Sequence, residues 1–365
     1  MQTPSTLAST RPLVSIIIPV YNVASRFALF KEAILSVLAQ THRPLEIVVV
    51  DDASSEASVA LIEEYLHRFA NLPWRLIRSE ANSGPSVARN IGIEQSRGEV
   101  VAFLDWDDLY FPQFLESAIN AMRQDASVVL APTYFYREWK GSARVYASAI
   151  PDAVNSLSFI DFCAHIVENN FPVAMGSAVV CRRSLFESSK DLWFDSYLSK
   201  LTAEDILFGF SFLSHGIRPI ILDSPLVVHR GYIGVSSRGF DAFLKIDELT
   251  VQDYISTKAV DGLIERIATV NPERARGLRT RQIRLRKRFL LKRHLSQSRY
   301  GQIILLIAAD PGLAKAFLTF LAYKFSWLPG VNYLLQCQTF AITSDEAALR
   351  QITALLGDLH RSEPK

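Results

Sequence analysis

Three clusters of carboxylates stand where apolar runs stop or start. EIVVVDDAS (46–54) ends on Asp51 and Asp52, EVVAFLDWDD (99–108) ends on Asp105, Asp107 and Asp108, and TAEDILFGFSFLSHG (202–216) opens with Glu204 and Asp205. A carboxylate at the end of a strand can accept hydrogen bonds from a ribose hydroxyl or a base N–H, as an acid does in dinucleotide-binding folds. The Asp-x-Asp spacing offers hard oxygen ligands to Mg²⁺ or Mn²⁺, which commonly combine one or two protein carboxylates with substrate phosphate oxygens. With no basic residue nearby in the sequence, carboxylates packed so closely call for a cation or a proton between them. Glu204 and Asp205 suit either the first turn of a helix, where the dipole favours acids, or a general base that must be ionised near neutral pH. His229, followed by Arg230 and more distantly Arg238, reads as a third metal ligand beside phosphate-binding arginines, or as a solvated surface histidine. Each acid has its own ordinary reading as a cap or turn residue.

The elements that must position these groups alternate. VSIIIPVYN (14–22) is a short β-branched run that reads as a buried strand stopped by proline. Phe30, Ile34, Val37 and Leu38 recur at helical spacing, and further strands are expected at 46–54, 74–80 and 99–108, with helices at 56–70 and 86–96 between them. Such strand–helix alternation predicts a parallel sheet with crossover helices, whose functional groups gather at the carboxyl ends of the strands. Tyr21–Asn22, Asp51–Asp52 and Asp105–Asp108 all fall at that edge. Strands are expected again at 127–136 and 176–183, a helix at 202–216 and extended chain at 217–230, with helices beyond 240. No GxGxxG follows the first strand, where Pro19-Val20-Tyr21-Asn22 stands instead, so phosphates must be held in another way.

These residues, in this order, resemble the inverting glycosyltransferases of family 2. The likeness is carried by VSIIIPVYN, by VVVDDAS (48–54), by NSGPSVARNIGIEQSRGEVVAFLDWDD (82–108) and by AED (203–205), together spanning about 220 residues. The resemblance implies a GT-A fold, a Rossmann-like and mostly parallel α/β sheet flanked by helices. It further implies a nucleotide pocket walled by Pro19, Tyr21, Asp51 and Asp52, with Arg89 on the base or diphosphate side and Asp108 beside the donor ribose or sugar. Asp105 and Asp107 match the metal-binding DXD, His229 corresponds loosely to a further metal ligand, Asp205 matches the catalytic base and Glu204 the acceptor side. The expected cofactor is a divalent metal, Mg²⁺ or Mn²⁺. The expected partners are a nucleotide-sugar donor, UDP by family habit, and a glycan or lipid-linked acceptor. A nucleotidyltransferase would show a glycine-rich basic loop after the first strand, which PVYN is not. A catalytically silent sugar-nucleotide-binding protein is disfavoured by intact Asp107 and Asp205.

Composition sets the outer bounds. The 365 residues are 49% hydrophobic and 21% charged, with a formal charge of +2, enough for one large α/β domain and an appendage. Cys163, Cys181 and Cys337 form no CxxC pair, which favours neither zinc nor a disulfide framework and suits a reducing compartment. No apolar leader opens the chain, so a cytoplasmic setting is expected. The expected division is a flexible start at 1–12, a catalytic domain at 13–238 and a helical region at 239–365. Within that region 271–300 runs from Arg274 to Arg299 with the single acid Glu273, and apolar stretches follow to 328. Neither stretch is long enough to span a bilayer. Together they suggest an anionic membrane surface as partner, peripheral at the inner face of the plasma membrane, rather than nucleic acid, with ordinary packing as the alternative.

Overall fold

Alternation in the first strand sets up both sides of the central sheet. Val14, Ile16, Ile18 and Val20 of β1 (Val14–Val20) point into one apolar cluster while Ile17 points into another, as the two-residue period of a strand requires. The structure, a computed structural model, describes residues 11–69, 71–123, 126–139, 142–148, 154–169, 176–199, 204–232, 248–324 and 345–363. Residues 1–10, Thr202, Ala203, Ser236–Arg238 and 325–328, which enter the sequence reading, lie outside the described residues.

The other strands are β2 (Leu45–Asp51), β3 (Trp74–Arg78), β4 (Val100–Phe103), β5 (Leu109–Tyr110), β6 (Val128–Leu130), β7 (Thr133–Trp139), β8 (Ser142–Ala147), β9 (Val179–Arg182), β10 (Ile220–Ile221) and β11 (Val227–Tyr232). Among the described residues they form a seven-stranded sheet, β10-β6-β9-β4-β1-β2-β3, and a four-stranded sheet, β5-β11-β7-β8. In the larger sheet β9 alone runs against its neighbours β4 and β6; the other described pairings are parallel. The mostly parallel α/β fold is the one expected.

The helices are α1 (Phe27–Leu38), α2 (Glu56–His67), α3 (Pro85–Gln95), α4 (Phe114–Met122), α5 (Phe159–Asn169), α6 (Ser184–Ser188), α7 (Glu204–Ser214), α8 (Glu248–Ile255), α9 (Asp261–Val270), α10 (Pro272–Ser296), α11 (Tyr300–Ala309), α12 (Ala314–Lys324) and α13 (Glu346–Ser362). Helices α1, α2 and α4 cover one face of the sheet, and α3, α5, α7 and α9 the other. The last helix, α13, joins the first of these layers: Ala348, Ile352, Leu355 and Leu359 are buried in the same cluster as β1 and α1. Asp345 caps it, its Oδ1 accepting from the Ala348 amide at 2.9 Å.

Several boundaries differ from the sequence expectation. β1 does not stop at its proline but continues through Pro19 to Val20. The partner on the β4 side ends at the Ile17–Phe103 pair, so no ladder bond is owed by the missing proline N–H there. The run 99–108 leaves the sheet at Phe103, and Asp108 N donates to Asp105 O at 2.9 Å to close a turn. Pro132 divides 127–136 into β6 and β7, and the Asp223-Ser224-Pro225 turn divides 217–230 into β10 and β11.

Candidate active site

The parallel register places three loops side by side. Val20 pairs with Asp51 and Ile17 with Phe103, so the chain leaves β1, β2 and β4 at a single edge. At the first exit Asn22 adopts φ 49, a left-handed conformation that asparagine tolerates better than most residues. Its amide donates to Ser54 Oγ at 2.8 Å and its Oδ1 accepts from the Ser55 amide at 2.9 Å, tying the first loop to the second. Pro19 is buried in β1 and Tyr21 stands half exposed, at 48%.

The two acids after β2 are consumed differently from one another. Asp51 is fully buried and accepts from the Ser54 amide at 3.2 Å, with Arg78 Nε at 3.7 Å. Asp52 reaches forward to the loop before α3, where its two oxygens accept from the Ser83 amide at 2.8 Å and the Gly84 amide at 2.7 Å. Gly84 has φ 89, and a Cβ there would lie 2.6 Å from Ser199 Oγ, so no larger residue fits. Ser199 Oγ in turn accepts from the Ser86 amide at 3.0 Å, satisfying an N–H of the first turn of α3 that has no partner within the helix.

Arg89, on α3, joins the outer clusters. Its side chain is nearly inaccessible, donates to Asp105 Oδ1 at 2.6 Å and to Glu204 Oε1 at 3.3 Å, and lies over the Phe194 ring at 5.1 Å. Burial pulls its pKa down, but Asp105, Glu204 and the more distant Asp205 outweigh that and raise it, so the guanidinium stays charged. A Cβ on Gly176 would come within 2.8 Å of its Nη2; glycine is what leaves room for the ion pair.

The acidic turn at 105–108 is built in two halves. Asp108 is buried, accepting from Ser177 Oγ at 2.6 Å and from the Arg230 amide at 3.0 Å, with His229 Nδ1 at 3.2 Å. Burial would raise its pKa, yet His229, Ser177 and Arg230 together hold it below the usual carboxylate range. Asp107 has the opposite balance. Burial first, then Asp108 and Asp105, push it up to about 7 against the weaker pull of His229 and Arg230. Asp205, at the start of α7, is likewise pushed up to about 7, by burial and by Glu204, with Arg89 opposing.

The sequence-predicted residues thus fall into two groups. Asp105, Asp107, Asp108, His229, Arg89, Glu204 and Asp205 are linked by the contacts and charges above, while Pro19, Tyr21, Asp51 and Asp52 line the neighbouring strand ends. Among the described residues no group of three or more His, Cys, Asp or Glu side chains gathers as a metal cage. A donor set of a few carboxylate oxygens, with Asp107 raised by burial and then by its like-charged neighbours, fits a cation shared with a diphosphate better than one enclosed by protein. Arg230 does not offer its guanidinium to the site's open side. It is buried, with Nη2 on Leu29 O at 3.1 Å, Nη1 on Glu32 and Nε on Asp107 O. Ser177, Ser199 and Glu32 went unread in the sequence, since nothing local marks a serine or a helix-face glutamate that acts across such separations.

The comparisons with known proteins bear on the family and the fold. Residues 15–189 match the family described as Glycosyl transferase family 2, a span that includes every candidate up to Asp108 but not Glu204, Asp205 or His229. An uncharacterized glycosyltransferase of Haemophilus influenzae is 34% identical over 131 residues, 36% of this chain and 50% of its own length. The uncharacterized glycosyltransferase EpsJ of Bacillus subtilis is 32% identical over 222 residues, 60% of this chain and 61% of its own length. The chain therefore spans about half to three-fifths of those two relatives. Among solved structures, S. aureus TarS 1-349 in complex with UDP-GlcNAc superposes with a TM-score of 0.50 at 20% identity, covering 85% of this chain and 79% of that one, which is a likeness of fold. The match to glycosyl transferase family 2 thus rests on the domain at 15–189, just under half of the chain.

Proposed function

We propose that the chain transfers one sugar from a nucleoside-diphosphate sugar, with UDP as the nucleotide, to a hydroxyl of a glycan or lipid-linked acceptor, with inversion at the anomeric carbon. The observation that carries this reading is the Arg89 bridge, which brings the acidic turn after β4 and the acidic start of α7 to one place. One cluster faces the leaving diphosphate and the other the incoming hydroxyl. TarS, the structural neighbour, was solved with UDP-GlcNAc bound, and a UDP-sugar is the donor class we propose here.

Asp107, with Asp105 and His229, is the set that would hold a divalent metal, Mg²⁺ or Mn²⁺. Bound there, such an ion supplies charge compensation for the departing diphosphate. Asp108 faces the donor sugar or ribose, and the strand-end residues Pro19, Tyr21, Asp51 and Asp52 border the nucleotide. Asp205 removes the acceptor proton, and its elevated pKa places it near the operating pH, where a general base is most effective. The acceptor oxygen then bonds to the anomeric carbon from the far side of the ring. The bond from that carbon to the diphosphate breaks, and its electron pair leaves with the nucleotide. One displacement inverts the centre without an enzyme nucleophile.

A screen of sugar nucleotides for slow hydrolysis, with and without chelator, tests this without knowing the acceptor. The expected result is release of UDP from one UDP-sugar, lost in chelator. Pyrophosphate release from a nucleoside triphosphate would instead favour a nucleotidyltransferase, and nucleotide binding with no turnover a silent binding protein.

The C-terminal helices support a second partner, an anionic membrane surface. On α10 Arg276, Arg279, Arg284 and Arg288 are exposed and form no side-chain ion pair or hydrogen bond among the described residues, whereas Arg274, Arg286 and Lys287 are paired with acids. On the two helices that pack against α10, Ile304 and Leu305 of α11 and Leu318 of α12 are 68%, 64% and 64% exposed. No helix among the described residues is long and apolar enough to cross a membrane. At about 1 kcal/mol per basic side chain near an anionic surface, the four exposed arginines would give salt-sensitive binding. Co-sedimentation with phosphatidylglycerol vesicles but not phosphatidylcholine vesicles, lost when the four become glutamine, is the expected result. Equal recovery with both lipids would return the helices to ordinary packing.

A further inference from the structure

Behind the acidic turn lies a chain of polar contacts that is buried at Arg230 and reaches the surface on the last helix. Arg230 is held on every side of its guanidinium: Nε donates to the Asp107 carbonyl, Nη1 to Glu32 of α1 and Nη2 to the Leu29 carbonyl at 3.1 Å. Its own amide donates to Asp108 Oδ1 at 3.0 Å. The second oxygen of Glu32 accepts from His360 Nε2 of α13 at 2.8 Å. That helix is fixed in turn by its buried apolar face and by Lys31 Nζ to Glu363 Oε1 at 2.9 Å. The turn bearing Asp107 and Asp108 is therefore gripped at one carbonyl and one carboxylate by a single residue, and that residue is gripped by α1 and, through Glu32, by α13.

We propose that Arg230 is a positioning residue for the acidic turn, with Glu32 as its anchor and His360 as the link that makes the C-terminal helix part of the active site. A carbonyl captured by a buried guanidinium fixes the peptide on the C-terminal side of Asp107, and with it the direction of the Asp107 carboxylate. Methionine at position 230 would fill much of the same volume but release that carbonyl. Glutamine at position 32 would keep the shape while weakening the charge-assisted bond. This inference rests on the proposed metal–diphosphate role of the turn, so its test needs a control that addresses that role separately.

The test is calorimetric titration of UDP into the full chain across a series of MnCl₂ concentrations, with folding checked by circular dichroism and thermal melting. Arg230→Met is expected to raise the Mn²⁺ concentration for half-maximal UDP binding at least tenfold, while UDP binding in chelator stays within twofold of wild type. Arg230→Lys is expected to recover part of the loss. Glu32→Gln should show an intermediate shift and His360→Ala, at a side chain that is 57% exposed, a shift of about two- to threefold. A merely structural role would lower the melting temperature and leave the Mn²⁺ dependence unchanged. Wild-type Mn²⁺ dependence in folded Arg230→Met, or in Glu32→Gln should the former fail to fold, overturns the proposal. Asp107→Asn is the control: if it too keeps wild-type Mn²⁺-dependent UDP binding, the metal–diphosphate reading has failed, whatever Arg230 does.

Discussion

The chain places acids at the ends of two parallel strands, and one acid of each set, Asp52 and Asp107, meets opposite surroundings. After β2, Asp52 is clasped by two backbone amides of the loop that leads into α3. After β4, Asp107 is raised by burial and by carboxylates on either side. Similar sequence grammar, an apolar run stopped by aspartates, thus yields one acid that organises the protein and one that carries uncompensated charge. The difference lies in what the neighbouring backbone offers. A loop with consecutive free N–H groups stabilises a carboxylate; a turn of aspartates does not. Acids that the protein itself satisfies hold loops in place, while acids it leaves in tension are candidates for ligands.

The sharpest way to break that contrast is Asp107→Asn. Transfer should fall by on the order of a thousandfold or more, since several kcal/mol of leaving-group stabilisation is at stake. Because the pKa of Asp107 is raised in the folded state, its contribution to stability is present at low pH and is lost as pH rises through about 7. Without metal at pH 8 the asparagine variant should therefore melt at or above the wild-type temperature. A large drop in melting temperature would mean that Asp107, too, is a structural acid.

Asp205→Asn comes next, with transfer reduced by about two to four orders of magnitude and donor affinity little changed. In the wild type the base must be unprotonated, so the rate should decline as pH falls below about 7, a limb the variant should lack. An acid limb that survives in the variant would move the base elsewhere and leave Asp205 as a helix-start acid.

Asp52→Asn should produce the smallest effect and the opposite pattern. Turning an amide NH₂ toward one of two buried backbone donors should cost about 1–3 kcal/mol of folding stability, read as a lower urea midpoint. The metal concentration for half-maximal UDP binding should stay as in wild type. A shift in metal dependence without loss of stability would mean that Asp52 acts on the metal–diphosphate side of the site rather than by holding its loop.

Much of this arrangement was legible in the sequence, and the reasons are local. β1, β2 and β3 and helices α1, α2 and α3 have the period and length that a single window can recognise, and acids at strand ends mark the edge. β8, α4 and α5 went unread although they have six, nine and eleven residues; the rest of what escaped is too short or too distant. β5 and β10 have two residues each, below any period. β9 reads as a strand, but nothing in GSAVVCRR tells that it enters antiparallel between β4 and β6. Arg89 was legible as a site residue, whereas its burial between Asp105 and Glu204 depends on residues 16 and 115 positions away. Glu32 on α1 reads as a solvated face; its partner Arg230 stands 198 positions along the chain.

The return of α13 to the layer that holds α1 has a consequence in time. Phe30 and Ile34 belong to a cluster completed by Ile352, Leu355 and Leu359, residues synthesised more than three hundred positions later. At roughly 5–20 residues per second of synthesis, the first helix waits on the order of fifteen seconds to a minute for its last neighbour. During that interval one face of the nascent sheet is incompletely covered, and the apolar surface meant for α13 is available to chaperones or to other nascent chains.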